Sequence, residues 1–236
     1  MGVDRTRRDW HFRRGESPTD VMRDAGSILE IIHADPDIVV VNKESGMLSV
    51  PGRGPEKLDS VATRVRTLYP DCIEQPAVHR LDMDTSGLMV LALNAESHRD
   101  LSIQFQDRQT SKRYIALLDG IVEADGGTIE LPFRLDVDNR PIQIYDEVHG
   151  KVGITHWEKL GIEDGRTRVS FTPVTGRTHQ LRVHSAHPKG LGIPIAGDTF
   201  YGTGQRSGEL KLHACELAFR HPKSGERLAF SVPPDF

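Results

Sequence analysis

Along most of this chain the apolar residues fall into short runs, alternating with polar ones or continuous for a few positions, which is the signature of strands rather than helices. Ile28–Ile32 and Asp37–Asn42 read as strands, the second leading into a turn at Lys43-Glu44-Ser45-Gly46 and a further strand-like segment, Met47–Val50. From Leu58 to Leu68 the period changes: Leu58, Val61, Ala62, Val65 and Leu68 recur at helical spacing, and Pro70 ends the pattern. Leu88–Leu93 is apolar on both faces, as expected inside a sheet, and Glu96–Arg108 reads as a helix presenting Leu101 and Phe105. Tyr114–Leu118 is a strand, and short β segments then alternate with Gly and Asp turns at Thr128–Phe133, Pro141–Tyr145, Gly153–Leu160 and Thr167–Pro173. Leu210–Phe219, the turn Pro222-Lys223-Ser224-Gly225 and Arg227–Val232 form a closing hairpin. The pattern predicts an α+β domain with a mostly antiparallel central sheet and a few helices packed against it.

The first 27 residues have no sustained apolar period and carry many Arg, so they read as a flexible leader before a single domain over residues 28–236. They lack the apolar centre of a secretory signal, and no apolar run approaches a membrane span, so no membrane association is expected and the expected location is the cytoplasm. Cys72 and Cys215 show neither a metal-ligand nor a redox spacing and are expected to be reduced thiols. A net charge of -4 speaks against coating nucleic acid through bulk positive charge. The charge is uneven, however: Arg108, Lys112 and Arg113 form one cluster, and Arg177, Arg182 and Lys189 another with His179, His184 and His187. Gathered on one face they would make a basic groove on an acidic protein; in isolation such runs are ordinary solvated faces.

Two segments carry chemistry. Asp82 sits on a short turn between two strand-like runs, in His79-Arg80-Leu81-Asp82-Met83-Asp84-Thr85-Ser86-Gly87. A turn held by flanking strands can aim a nucleophilic carboxylate outward; equally, Asp82 can cap the turn through Thr85 or Ser86. The second segment is Thr175-Gly176-Arg177-Thr178-His179-Gln180-Leu181-Arg182-Val183-His184. A helix starting beside Arg177 would offer free N–H groups to an anion and put Arg177, Leu181 and His184 on one side, with Arg182 pointing elsewhere. The same residues also suit a capped surface helix.

In order, spacing and residue type these segments closely resemble RluA-type pseudouridine synthases. Lys112-Arg113-Tyr114 agrees, as do Val41-Asn42-Lys43-Glu44-Ser45-Gly46-Met47-Leu48-Ser49-Val50-Pro51-Gly52, Pro194–Gly202 and Leu212-His213-Ala214. The similarity covers roughly residues 28 to 236 and is nearest to the short branch that acts on large-subunit ribosomal RNA and transfer RNA. The resemblance implies the pseudouridine synthase fold, with the cleft across its sheet, and a reaction needing no cofactor: uracil is detached from C1′, turned, and rejoined through C5. It implies Asp82 as the catalytic carboxylate, acting on C1′, C6 or the C2′ proton, with Arg177 paired to it. By the same resemblance Tyr114 stacks on the uracil, Leu181 walls it, and Arg80 fills the gap left by the extruded base, with His79 beside it. Arg108, Lys112, Arg113, Arg182 and Lys189 are candidates for phosphate contacts, while Asn42 and Lys43 suit a tight turn at least as well as RNA. An RNA partner, no metal and a monomer complete the expectation. A rival metal hydrolase would need His179, His184, His187, His213 and Asp198 brought together; an RNA-binding module without catalysis would not need Asp82, Tyr114 and Arg177 jointly.

Overall fold

The computed structural model describes residues 29–236; the expected leader and the first residue of the first predicted strand, Ile28, lie outside the described residues. The elements are β1 (Glu30–Ala34), β2 (Ile38–Lys43), α1 (Val61–Leu68), β3 (Ser86–Ala92), α2 (Ala95–Gln106), β4 (Ser111–Leu118), β5 (Gly126–Leu135), β6 (Gln143–Tyr145), β7 (Lys151–Glu163), β8 (Arg166–Pro173), α3 (Gln180–Ala186), β9 (Leu212–Arg220) and β10 (Arg227–Ser231). Ten strands make one sheet in the order β1-β2-β3-β9-β4-β8-β7-β5-β6, with β10 beside the outer half of β9. Every pairing but β3–β9 is antiparallel, as the sequence predicts. Among the described residues no helix is long and apolar enough to cross a membrane.

The continuous apolar runs of β2 and β3 lie where both sheet faces are covered. Val39, Val41, Met89 and Leu91 pack with Val61, Ala62 and Val65 of α1 on one face; Ile38, Val40, Leu88 and Val90 pack with Leu101 and Phe105 of α2 on the other. A third cluster joins Ala116, Leu118, Leu131, Phe133, Val169 and Phe171 to Leu181 and Val183 of α3. Each such Val, Leu, Ile, Met or Phe side chain, fully buried, contributes about 1.5–3 kcal/mol, so the three clusters fix where the helices sit. Two glycines permit close approaches between elements that frame the cleft. At Gly87 (φ 113°) a Cβ would lie 2.4 Å from the Ala214 carbonyl oxygen, so only glycine lets β3 join β9. At Gly153 it would lie 2.7 Å from Phe133 and 2.9 Å from His184, so glycine lets α3 settle on β7.

Several boundaries differ from expectation for local reasons. Met47–Val50 is no strand: Leu48 makes a single bridge to Ser60, while the carbonyls of Leu48 and Ser49 accept the Val61 and Ala62 N–H groups at 2.8 and 3.1 Å, satisfying the first turn of α1. The helix starts after Leu58, which is 55% exposed, because Ser60 and Thr63 form a reciprocal cap. Helix α2 stops at Gln106. Gln109 N donates to Gln104 O at 2.8 Å and Arg108 N to Phe105 O at 3.4 Å, a C-terminal capping pattern that puts Arg108 at φ 57°, where glycine is usual.

Candidate active site

A cleft of about 760 Å3 crosses the sheet, between the turn before β3, the C-terminal end of α2, the start of β4 and the segment joining β8 to α3. Asp82, Arg80, Tyr114, Leu181, Arg177, His79, Arg108, Lys112 and Arg182 all line it. Among the described residues Asp82 is its only acidic one, against the five cations Arg80, Arg108, Lys112, Arg177 and Arg182. The fold thus makes a basic groove on a chain of net charge -4.

The turn bearing Asp82 is clamped from several sides. Thr85 N donates to Asp82 O at 3.1 Å, closing it. Ser49 Oγ donates to Leu81 O at 2.7 Å and accepts from Leu81 N at 3.0 Å. Gly46 N and Lys43 Nζ both donate to Met83 O, at 3.0 and 2.8 Å, and Ser45 Oγ donates to Asp84 O at 2.5 Å. Asp84 Oδ1 accepts from Gly208 N at 3.0 Å and from the Ser207 hydroxyl. The Asp82 side chain, by contrast, makes no hydrogen bond among the described residues, so it does not cap through Thr85 or Ser86, and its carboxylate remains available to the cleft. Lys43 is 1% exposed: Nζ gives its three hydrogens to Glu44 O, Met47 O and Met83 O, so it braces the turn and is not free to touch RNA. Burial pushes its ammonium down to about 7, opposed by Asp84 and Asp82.

The expected pairing of Arg177 with Asp82 is corrected. Helix α3 begins at Gln180, not beside Arg177, because His179 takes a left-handed conformation (φ 56°) at the N-cap. Arg177 therefore precedes the helix. Its N–H donates to Gln180 Oε1 at 3.1 Å and so is not free for the expected anion corner, and its exposed side chain has no ion-pair partner among the described residues. The buried guanidinium is Arg182, 2% exposed, whose Nε and Nη2 reach Asp198 Oδ2 and Oδ1 at 2.8 and 2.7 Å. Burial lowers its affinity for a proton, but Asp198 and then Asp82 more than compensate, so the net shift is upward. Arg182 thus cannot serve as the expected phosphate contact: its fork is already filled by Asp198.

Among the remaining candidates, Tyr114 is half-buried against the core cluster that includes Leu181, with its hydroxyl pushed well up by burial and Asp82, so the ring is a neutral wall. Arg80 reaches across the cleft, Nη2 to Thr178 Oγ1 at 3.2 Å. His79 stacks on Phe105 at 4.3 Å and accepts the Val90 N–H at 3.1 Å, so its ring is spoken for structurally; burial and Lys112 hold it neutral, down to about 3. Lys112 lies over the Phe105 ring at 5.9 Å with no hydrogen-bond partner among the described residues. Arg113 is turned out of the cleft, pairing with its register partner Glu216 at 3.4 Å. Lys189 is also elsewhere, its Nζ 2.7 Å from Tyr145 Oη. The rival metal set is not assembled. Asp198 is taken by Arg182, and His213 lies between Ser86 Oγ at 2.8 Å and Val232 O at 3.1 Å. A different trio, Asp35, Asp37 and His221, does converge, but His221 Nδ1 accepts from Lys223 N and Ser224 N, which leaves Nε2 as a donor to Asp35 Oδ2 at 3.1 Å rather than a metal ligand.

A mixed sheet crossed by a cationic cleft around one unbonded carboxylate suits an enzyme that acts on a polyanion, and the chain belongs to the RNA pseudouridylate synthase family, whose model matches residues 37–187. It is therefore an isomerase that forms pseudouridine in RNA. The dual-specificity RNA pseudouridine synthase RluA of Pasteurella multocida is 47% identical over 212 residues, covering 88% of this chain and 94% of the relative. The protein of the same description from Escherichia coli is 42% identical with the same coverage. The solved human RNA pseudouridylate synthase domain containing 1 superposes with a TM-score of 0.72 at 29% identity, covering 90% of this chain and 87% of that one. Human RNA pseudouridylate synthase domain containing 4 gives 0.67 at 24% identity, with 87% and 88% covered, and speaks for the fold alone.

Proposed function

We propose that this chain isomerises uridines in both large-subunit ribosomal RNA and transfer RNA, with Asp82 as the catalytic carboxylate, no cofactor, and a monomer in the cytoplasm as the working form. The observation that carries the reading is the contrast between Asp82 and Asp84 on one turn: Asp84 is consumed by the Ser207–Gly208 loop, whereas Asp82 enters the cleft unbonded. The dual specificity named for relatives at 47% and 42% identity supports two RNA classes as substrates. A uridine in folded RNA leaves its stack at a cost of a few kcal/mol. Stacking on Tyr114 returns roughly 1–3 kcal/mol. Leu181, 7% exposed, closes the apolar side, so the detached, planar base can turn without gripping contacts. Arg80, tied to Thr178 at the cleft mouth, is placed to fill the vacated stack, while Arg108, Lys112 and Arg177 meet phosphates.

Asp82→Asn should abolish tritium release from RNA labelled at uridine C5 while RNA binding persists; retained turnover would remove Asp82 from its role. Chemical mapping of pseudouridine in cells with and without the protein tests the substrates. Sites should vanish from both RNA classes, and loss from one class alone would refute dual specificity.

A further inference from the structure

His179 is the second group in the cleft whose geometry is fixed in advance. Its ring is 6% exposed, lines the cleft, stacks on Phe200 at 5.5 Å and meets Tyr201 edge-on at 5.6 Å. The backbone beneath it is left-handed, a conformation costing a residue with a Cβ on the order of 1 kcal/mol, and apart from Arg108 and Asp164 no other described non-glycine residue adopts it. One hydrogen-bond chain sets the tautomer. Gln143 N donates to Tyr201 Oη at 2.8 Å, and Tyr201 Oη lies 2.8 Å from His179 Nδ1. Burial pushes the Tyr201 hydroxyl up to about 12, so it keeps its proton. With the Gln143 N–H already accepted, that proton goes to Nδ1; the reverse arrangement would strand it without an acceptor. In the neutral ring the imidazole hydrogen is then on Nε2, which has no partner among the described residues and is not among the sealed, unsatisfied atoms, so it opens on the cleft.

We infer that His179 Nε2–H donates a hydrogen bond to a carbonyl oxygen of the target uracil and stabilises the negative charge that the base acquires as it is detached. The inference rests on the reading of Asp82 as the catalytic carboxylate. It holds for each route open to Asp82. Attack at C1′ or loss of the C2′ proton sends the N1–C1′ electron pair onto the base, and addition at C6 places charge on the ring through O4; each time carbonyl oxygens carry it. A fixed donor aimed at such an oxygen needs no reorganisation in the transition state. A neutral donor suits the place, because an imidazolium would pair with Asp82 and quench it. Burial, Arg182 and Arg80 push the ring toward neutrality against Asp82 and Asp198. The exposed cations, by contrast, suit phosphate.

The wild-type protein, labelled with ¹⁵N-histidine, reports the tautomer directly: Nε2 should be protonated and Nδ1 bare at neutral pH, and the opposite assignment would overturn the inference. Turnover is read as tritium release from transcribed, unmodified tRNA and large-subunit rRNA fragments. His179→Asn tolerates the left-handed backbone but lacks the reach of Nε2; kcat should fall roughly 10²-fold, as for an oxyanion donor, with KM changed less than threefold. His179→Gln, whose amide nitrogen falls near the Nε2 position, should recover part of that loss. A purely structural role would lower the urea midpoint and leave kcat per folded molecule intact, which would refute the contact while Asp82→Asn remained inactive. If Asp82→Asn itself turned over, the underlying reading of the site would fall first.

Discussion

The bidentate pair of Arg182 and Asp198 is the least exposed ion pair described, at 2% and 0%, and replacing one partner should expose what it does. Asp198→Asn keeps the size of the side chain and an oxygen for the Phe200 and Tyr201 N–H groups, which Oδ1 accepts at 2.9 and 3.0 Å. It replaces Oδ2 by an NH2 that faces the Arg182 Nε–H, donor against donor, and leaves the guanidinium charge without a counter-charge at 2.8 Å. One charge-assisted bond lost, at roughly 1.5–3 kcal/mol, and a buried cation left uncompensated place the cost at about 3–5 kcal/mol. In a chain this long that is a fall in Tm of roughly 6–20 °C. Urea unfolding followed by tryptophan fluorescence should show it as a lower midpoint at constant slope. Adding Arg182→Met removes the orphaned charge, so the double variant should be less destabilised than the sum of the single ones by about 2 kcal/mol. Yet it should remain inactive, because Asp82 then loses the attraction of the Arg182 charge. A single-variant cost below about 1 kcal/mol, or additive effects, would refute a desolvated, mutually dependent pair.

Arg108→Gly should act in opposite directions on two readouts. Relieving the left-handed arginine stabilises the fold by about 0.5–1 kcal/mol, while a lost phosphate contact weakens RNA binding and reduces the salt slope by about 1; RNA affinity equal to wild type would remove Arg108 from the interface. Arg177→Ala should weaken RNA binding while leaving single-turnover rate at saturation within about threefold of wild type, measured by tritium release, and a collapse of that rate would restore the pairing with Asp82 that the geometry denies. His184, 0% exposed with neither ring nitrogen bonded, is pushed by burial down to about 4. The unfolded chain takes that proton near pH 6.5 and so binds more protons between these values, which means stability is whole above pH 6.5 and is lost as pH falls toward 4. From pH 7 to pH 5 the loss is about 2 kcal/mol by urea titration, and His184→Met should lack that share; parallel pH curves for the two proteins would contradict it.

The strands were legible because residue alternation is itself the register. Ile38 to Val41 read as a continuous apolar run, and the structure buries successive residues against α1 and α2 in turn. Helix ends were less so, because they depend on single hydrogen bonds: Ser60 moves the start of α1 past Leu58, and a left-handed Arg108 ends α2 two residues early. The choice between Arg177 and Arg182 failed for the same reason. A helical wheel needs a starting residue, and the left-handed His179 removes Arg177 from the wheel altogether. What selects Arg182 is Asp198, sixteen positions on in a loop, and no local periodicity connects them. His179 itself entered the sequence reading as part of a basic cluster and as a rival metal ligand, not as a hydrogen-bond donor, since its tautomer depends on Gln143 and Tyr201, which no spacing rule places beside it.

The Lys43–Ser49 segment, whose first residue suited a tight turn at least as well as RNA, proves to be a brace, and this explains why Asp82 can stay unbonded. A carboxylate left without hydrogen bonds on a mobile turn would find a backbone N–H within its own loop, as Asp35 and Asp146 do elsewhere in this chain. Here Lys43, Ser45, Gly46 and Ser49 occupy the carbonyls of Leu81, Met83 and Asp84, and Ser207 and Gly208 occupy the Asp84 side chain. The turn has no slack with which to fold back onto Asp82. The groups that make the carboxylate reactive therefore include ones that never meet RNA, and Lys43 matters through the rigidity of the turn as much as through its charge. Electrostatics completes the arrangement: Arg80, Arg108, Lys112 and Arg177 are left to draw phosphates into the cleft, whereas the buried Arg182 guanidinium is held by Asp198 and attracts Asp82 without bonding it.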